Sequence, residues 1–319
     1  MSALITLTLN PALDLATSAE RVTPTHKLRC GPVCRHPGGG GVNVARVLHR
    51  LGAPVQAWML TGGTAGAQVQ HLLQAEGVAT RALPIAGDTR ENFSVVETAT
   101  GQEFRFVLPG PTVQATEWQA LLDALAAQDP APRWWVASGS LPPGVPDDFY
   151  ARMAALAQAQ GSRLVVDSSG PALAAALQAG VYLVKPSLRE LRDLTGLPLQ
   201  EAPAWRAAAQ SLVQRGAATL VAVSLGEQGA VLATQGGVWE APALPLSAAT
   251  GTTGAGDCFL AALTWALDQG EAPPEALRWA MAAGAAALLH PGTALAQAAE
   301  LQALRPQVRV KAVGDGLGA

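Results

Sequence analysis

The sequence predicts an α/β protein built on a parallel sheet, with a small separate piece of β structure. Two observations carry this. Apolar strand-like runs alternate with amphipathic helical stripes over the first 80 or so residues and again beyond Thr116, the order that builds a parallel sheet. Between those stretches, and in one earlier segment, the pattern turns to β-rich pieces with no helix between them. Composition agrees: of 319 residues, 49% are apolar and 14% charged, which supplies a large core and too little charge for a disordered chain.

Leu4, Ile5, Leu7 and Leu9 form an opening strand that ends at Asn10-Pro11. A glycine run, Gly38–Gly41, precedes a helical stripe of Val44, Val47, Leu48 and Leu51, which Gly52 closes. Val55–Leu60 reads as a strand, and Val69, Leu72 and Leu73 mark a helix capped by Gly77. Phe93–Glu97 and Glu103–Val107, joined by a Thr-Gly turn, read as a hairpin. The segment Val22–Cys34 is also strand-like, and the two β pieces can pair as an accessory sheet. Further strands are expected at Trp134–Ala137, Leu164–Asp167, Val181–Val184 and Leu220–Ser224. Helices are expected near Thr116–Ala127, Asp147–Gln160, Pro171–Ala179, Ser187–Leu194, Pro203–Arg215, Ala255–Asp268 and Pro274–Leu289. Gly314–Ala319 read as a loose tail, and the absence of repeats and long linkers suggests one domain over 1–319.

A net charge of −3 points to neither nucleic acid nor an anionic membrane as a partner. The N-terminus lacks a basic region and a long apolar run, so no signal peptide is expected. The longest apolar run, around Trp279–Leu289, is shorter than the about 20 residues that span a bilayer. Cys30, Cys34 and Cys258 form no disulfide framework, and Cys30-x-x-x-Cys34 has no second pair to complete a zinc site. A cytoplasmic protein is expected.

The strongest chemical signal is Gly251-Thr-Thr-Gly-Ala-Gly-Asp257 ahead of an apolar helix. Small residues let a ligand approach the backbone, and a helix start offers free N–H groups to an anion. A P-loop would place Lys and Ser or Thr after the last glycine; here an Asp follows. That carboxylate suits a base that takes a proton from a hydroxyl, or a plain first-turn Asp favoured by the helix dipole. Pro37-Gly-Gly-Gly-Gly-Val-Asn43 exposes backbone, and Asn43 can donate to and accept from sugar hydroxyls; a flexible turn is the bland alternative. It fits a dinucleotide fingerprint poorly, because Asn43 replaces the third Gly and no clean strand precedes the run. Asp14 lies just beyond the first strand, where open α/β sheets place ligands. Lys27, Arg29, Arg90 and Arg105 fall in or beside the β pieces and suit phosphate, although a single Arg is usually a solvated charge. Lys185-Pro-Ser187-x-x-Glu190 ends a strand and opens a helix; Glu190 can hold Mg²⁺ through water or serve as an ordinary first-turn Glu. Ser224-Leu-Gly226-x-x-Gly229 is a glycine turn fit for a nucleotide or a hairpin. The five histidines show no ligand spacing.

Taken together these motifs resemble the ribokinase/PfkB family of carbohydrate kinases along nearly the whole chain. The carrying segments are Leu9-Asn-Pro-Ala-Leu-Asp14, Gly38-Gly-Gly-Gly-Val-Asn-Val-Ala45, Ser138-Gly-Ser-Leu-Pro-Pro-Gly144, Val166-Asp-Ser-Ser169, Val184-Lys-Pro186 and Gly254-Ala-Gly-Asp257. Lys27-Leu-Arg-Cys30 and Phe104-Arg-Phe-Val-Leu-Pro-Gly110 are similar to the phosphosugar branch, the minor-type bacterial 6-phosphofructokinases. The resemblance implies a three-layer α/β/α ribokinase-like domain with a small β-sheet lid, formed by about 14–35 and 88–108. It implies MgATP and a hexose phosphate, foremost fructose 6-phosphate, as substrates, and a homodimer clasped through the lids. By position, Asp257 is the base and Gly254, Ala255 and Gly256 the anion hole. Asp14, Gly39, Gly40 and Asn43 hold the sugar, Arg90, Asn92 and Ser140 match the sugar-phosphate site, and Lys27 reaches the partner's site. Lys185, Ser187, Ser224 and Gly226 fall on the nucleotide side and Glu190 on the magnesium side.

Three positions depart from the family pattern. Ser187 stands where Asn is usual, Gly251 where many relatives have Asp or Ser, and Ala294 where a relative carries a larger polar residue. The last two bear on a monovalent cation that some relatives bind near Gly292-Thr293. Fructose-1-phosphate kinase and tagatose-6-phosphate kinase are the rival activities within the class. A non-catalytic sugar-phosphate sensor is opposed by the retained Asp257 and Gly-Ala-Gly, and a nicotinamide dehydrogenase by the missing fingerprint spacing.

Overall fold

The computed structural model describes residues 4–246, 253–290, 292 and 294–313. Chain order is β1 (Leu4–Thr8), β2 (Ala12–Ala19), β3 (Cys34–Gly38), α1 (Gly40–Arg50), β4 (Val55–Thr61), α2 (Gly63–Ala75), β5 (Ala79–Pro84), β6 (Arg90–Glu97) and β7 (Glu103–Phe106). There follow α3 (Ala115–Ala126), β8 (Trp134–Ser138), α4 (Phe149–Gln160), β9 (Arg163–Asp167), α5 (Gly170–Ala179), β10 (Val181–Val184), α6 (Leu188–Thr195), α7 (Ala202–Gln214) and β11 (Ala218–Ser224). The chain continues through β12 (Ala230–Thr234), β13 (Gly237–Ala241), α8 (Ala255–Asp268), α9 (Pro273–Ala287), α10 (Ala298–Leu304) and β14 (Lys311–Val313).

Among the described residues, ten strands form one sheet in the order β14-β13-β12-β11-β10-β9-β8-β1-β4-β5. It is parallel from β5 to β11, and β12, β13 and β14 add antiparallel at one edge. Its central strands are apolar on both faces because both faces are covered by helices. Trp134 and Val136 of β8 face one core with α1, α8 and α9, while Trp135 and Ala137 face the other with α4, α5 and α7. The architecture is therefore three-layered, α/β/α. Strand order reverses between β1 and β8, and the crevice beyond such a reversal is where open α/β sheets bind ligands.

Four strands form a second sheet, in the order β3-β2-β6-β7. The Glu103–Val107 hairpin strand appears as expected, but its partner β6 is longer and begins at Arg90. The other half differs from expectation. Residues 20–33 are turn and coil, and the strands lie on either side of them, as β2 and β3. Pro24 and Pro32 lack the N–H a ladder needs, and Thr25 adopts a left-handed φ of 68°, so the strand-like apolar residues there cannot pair. Asp14 consequently lies inside a strand of the second sheet and not at the end of the first strand. A strand does precede the glycine run, but β3 is an edge strand of the small sheet and makes no dinucleotide-type βαβ unit. The antiparallel edge strands, β5 and the short α10 were not anticipated. No described helix is long and apolar enough to cross a membrane.

Candidate active site

The site is assembled at the strand-order reversal, on the N-terminal turn of α8. Gly254 caps that helix with φ 79° and has no side chain to cap the turn, so among the described residues the N–H groups of Gly254, Ala255 and Gly256 are available to an anion. Asp257 stands in the same turn. Its Oδ2 accepts a 2.8 Å hydrogen bond from Asn43 Nδ2 on α1. Burial is the main cause that pushes the Asp257 carboxyl up to about 7, and the charge of Asp167 adds to it. The Asn43 hydrogen bond and Lys185 oppose the rise. A carboxylate poised near neutrality is suited to accept a proton.

Glycines bring α1 close enough to make that contact. A Cβ on Gly41 would lie 2.4 Å from the Leu7 carbonyl oxygen, and one on Gly40 would lie 2.2 Å from Ser138 Oγ. Gly39 has φ 112° and passes over Thr8. Ser140, just beyond β8, accepts from Asn10 Nδ2 at 3.2 Å. Lys185, just after β10, is buried, and its Nζ lies 3.2 Å from Asp167 Oδ1 at the end of β9. Burial disfavours the ammonium, but Asp167, Asp257 and Glu190 outweigh that and raise its pKa. The same ammonium lies 3.4 Å from where a Cβ on Gly256 would be, beside the anion hole.

The second sheet supplies another cluster. Asp14 and Asn92 are register partners on β2 and β6, and Asn92 Nδ2 donates to Asp14 Oδ1 at 2.9 Å. Burial raises the Asp14 carboxyl; Asn92, Arg105 and Arg90 pull it back. Gly38 on β3 makes room, since a Cβ there would lie 2.3 Å from Asp14 Oδ2. Arg90 donates to the carbonyl oxygens of Leu108 and Asn10, both at 3.1 Å, so it sits where the small sheet meets the end of β1. A narrow cleft lined by Asp14, Asn92, Arg105, Phe106, Thr253 and Gly292 runs from this sheet toward α8.

The remaining predicted residues are placed as follows. Ser187 and Ser224 form an isolated parallel bridge, and Gly226, with φ 60°, opens the turn between β11 and β12. Ser187 and Glu190 form a capping box at α6: Ser187 Oγ accepts from the Glu190 N–H, and Glu190 Oε2 accepts from the Ser187 N–H at 2.7 Å. The ordinary first-turn role thus occupies one carboxylate oxygen of Glu190. Lys27 lies in the exposed loop between β2 and β3. Gly251 and Thr293 lie outside the described residues. Asp167 had been given no role, although a carboxylate ending one strand beside a lysine ending the next strand is a readable signal.

The profile of the pfkB family carbohydrate kinases matches residues 8–299. The ATP-dependent 6-phosphofructokinase isozyme 2 of Mycobacterium tuberculosis is 46% identical over 291 residues, covering 91% of this chain and 85% of its own. The Escherichia coli protein of the same name is 39% identical, covering 92% and 95%. A 1-phosphofructokinase of Xanthomonas campestris is 38% identical, covering 82% and 83%. Crystal structures of Escherichia coli phosphofructokinase-2 superpose with TM-scores of 0.90 for the complex with fructose-6-phosphate and 0.91 for the complex with potassium. A tetrameric inhibited form of that enzyme also superposes with a TM-score of 0.90; all three are 37–38% identical and cover 96% of this chain and 99% of theirs. This chain belongs to the pfkB family of carbohydrate kinases.

Proposed function

We propose that this pfkB-family chain transfers the γ-phosphoryl group of ATP to fructose 6-phosphate, giving fructose 1,6-bisphosphate. The observation that carries the proposal is Asp257: a buried carboxylate with a pKa near 7, in the turn that also presents the free N–H groups of Gly254–Gly256. Asn43 donates to Oδ2, which leaves Oδ1 to receive the proton of the acceptor hydroxyl. As the sugar oxygen bonds to phosphorus, Asp257 takes its proton and ADP leaves with the bridging oxygen and its electron pair. The N–H groups of Gly254, Ala255 and Gly256, with Lys185 beside them, stabilise the charge on the moving group.

Asp14, Gly39, Gly40 and Asn43 hold the sugar, and Arg90, Asn92 and Ser140 its phosphate. Ser187, Ser224 and Gly226 face the nucleotide. A divalent metal here would be held mostly by phosphate oxygens and water, with Glu190 as its protein carboxylate. Among the described residues no cluster of three or more His, Cys, Asp or Glu side chains could hold a metal ion. Glu190, with one oxygen committed and one free, suits Mg²⁺ that keeps its waters and binds phosphate oxygens. When bound, Mg²⁺ would neutralise phosphate charge. A monovalent cation beside Gly292 is part of the same reading, supported by the potassium complex of the Escherichia coli relative.

The second sheet acts as a lid, formed by β2, β3, β6 and β7, over a single kinase domain. Phe93, Phe106, Val107 and Leu108 are exposed on or beside it, which supports a homodimer through the lids with Lys27 reaching the partner's site. The Escherichia coli relative also forms a tetramer, so solution mass must decide the assembly.

ADP release with MgATP and a panel of fructose 6-phosphate, fructose 1-phosphate, tagatose 6-phosphate and fructose tests the substrate. The highest kcat/KM is expected with fructose 6-phosphate. A preference for fructose 1-phosphate would keep the base and the anion hole and overturn the substrate assignment. No turnover with any sugar would overturn the kinase reading.

A further inference from the structure

Behind the anion hole runs residues 294–296, held in a way the reaction described above does not use. Leu295 is buried and has a left-handed φ of 61°, a conformation unfavourable for a side-chain-bearing residue that persists only where its surroundings impose it. Its side chain fills the space against the helix cap: a Cβ on Gly254 would lie 2.4 Å from Leu295 Cδ2. The backbone of the next residue, Ala296, lies beside Cys258, which follows Asp257, and opposes the rise that burial imposes on that thiol. The segment therefore grips the first turn of α8 at two points.

One side chain organises it. Three successive carbonyl oxygens, of Ala294, Leu295 and Ala296, converge on Nη1 of Arg50 at 2.9, 3.2 and 3.1 Å. Two N–H hydrogens of Nη1 are shared among the three carbonyls while Nη2 of the same rigid plane reaches Glu76, and a single-point ammonium cannot make both contacts at once. Arg50 is itself fixed, because its Nη2 donates to Glu76 Oε2 at 3.3 Å, and the same carboxylate receives Arg46 Nε at 3.0 and 2.9 Å. Arg50 ends α1, seven residues after Asn43, so both lie on one side of the same helix. One rigid element thus touches Asp257 directly through Asn43 and the backbone behind its helix turn through Arg50.

We propose that Arg50 is a positioning residue for phosphoryl transfer: its guanidinium gathers the 294–296 carbonyls and so sets the first turn of α8, with Gly254–Gly256 and Asp257, against Asn43. The proposal rests on the kinase reading above. Small displacements of a catalytic turn cost turnover more than binding. Arg50→Ala should lower kcat about 10- to 100-fold while KM for fructose 6-phosphate stays within about twofold. Guanidinium ion at tens of millimolar should restore part of the lost kcat in Arg50→Ala, and an equal concentration of sodium chloride should not. Arg50→Lys should fall between the two and gain nothing from guanidinium. Amide hydrogen exchange at residues 254–258 and 294–297 should be faster in Arg50→Ala.

An unchanged kcat in Arg50→Ala, or a loss that guanidinium does not relieve, overturns the positioning role. Should Arg50→Ala fail to fold, Arg50→Met, which keeps the apolar stem and removes every donor, decides, and wild-type kcat in that variant overturns the proposal. Should the wild-type chain turn over no phosphosugar, the kinase reading fails separately. The exchange measurement then still tests the clamp, and unchanged exchange at 254–258 overturns it.

Discussion

The two halves of the candidate site are built differently. The floor, on α1, α8 and the ends of β1, β8, β9 and β10, is deeply buried and cross-linked by contacts between distant residues, such as Asn43 to Asp257 and Lys185 to Asp167. The second sheet is thin and half-exposed, with Phe93, Phe106, Val107 and Leu108 open to solvent. Its polar residues Asp14, Asn92 and Arg90 are tied to one another and to nearby backbone. In the floor, burial tunes a base and fixes an anion hole, and both require dry, rigid surroundings. In the sheet, polar side chains on half-exposed strands are suited, on the proposed function, to contact a substrate that must also be released. On the proposed function, the chemistry falls on the floor, while recognition of the phosphosugar is shared between the floor and the sheet.

The sharpest way to break that division is Asp257→Asn. Turnover should fall about 10²- to 10⁴-fold while ATP binding, read by calorimetry, is largely retained. The same variant should melt at a higher temperature at pH 8. The folded-state pKa near 7 lies above the ordinary aspartate value of 3.8, so the native state holds its proton more tightly than the unfolded chain. Stability is therefore lost as pH rises from about 4 through 7, and the asparagine escapes that loss. The gap in melting temperature should close toward pH 4, and a gap of equal size at both pH values would show that Asp257 is not the buried acid assigned here.

Arg90→Ala should act on the other half. KM for the phosphosugar should rise about 10- to 100-fold, the worth of a charged hydrogen-bond donor, with kcat changed far less. Equal loss with unphosphorylated fructose would remove Arg90 from the phosphate site. Asn43→Ala sharpens the division from within the floor. Without the donated hydrogen bond the charged form of Asp257 loses support, so the acid limb of kcat/KM should move to higher pH than in the wild type. The substrate's own phosphate ionises identically in both enzymes, so the difference between the two profiles reports Asp257; coincident limbs would count against it as the base. The mildest effect on the chemical step is expected from Phe106→Asp on the exposed strand β7. If the proposed homodimer through the lids forms, the substitution should lower the solution mass by light scattering, and an unchanged mass would count against an interface through the lids.

Much of the fold was legible because each central strand is a short apolar run buried on both faces, and each covering helix carries a stripe at helical spacing. The glycine turn and Asp257 were legible for a similar reason: anion binding at a helix start needs small residues in one contiguous stretch. The second sheet was only half legible. Its hairpin is local, but β2 reads ALDLATSA, with little alternation, and pairs parallel with β6 across the fold. The three-residue strand β14 carries no local signal at all.

The sequence by itself therefore determined the layered α/β architecture and the small-residue turn that carries Asp257 into the start of a helix, because these follow from residues adjacent in the chain. Only the tertiary structure decided that Asp14 faces Asn92, that Lys185 meets Asp167, that Asn43 reaches Asp257 across 214 positions and that Arg50 gathers the backbone behind the site. Those contacts depend on which strands neighbour one another and how closely glycine lets α1 approach, and local sequence carries neither quantity.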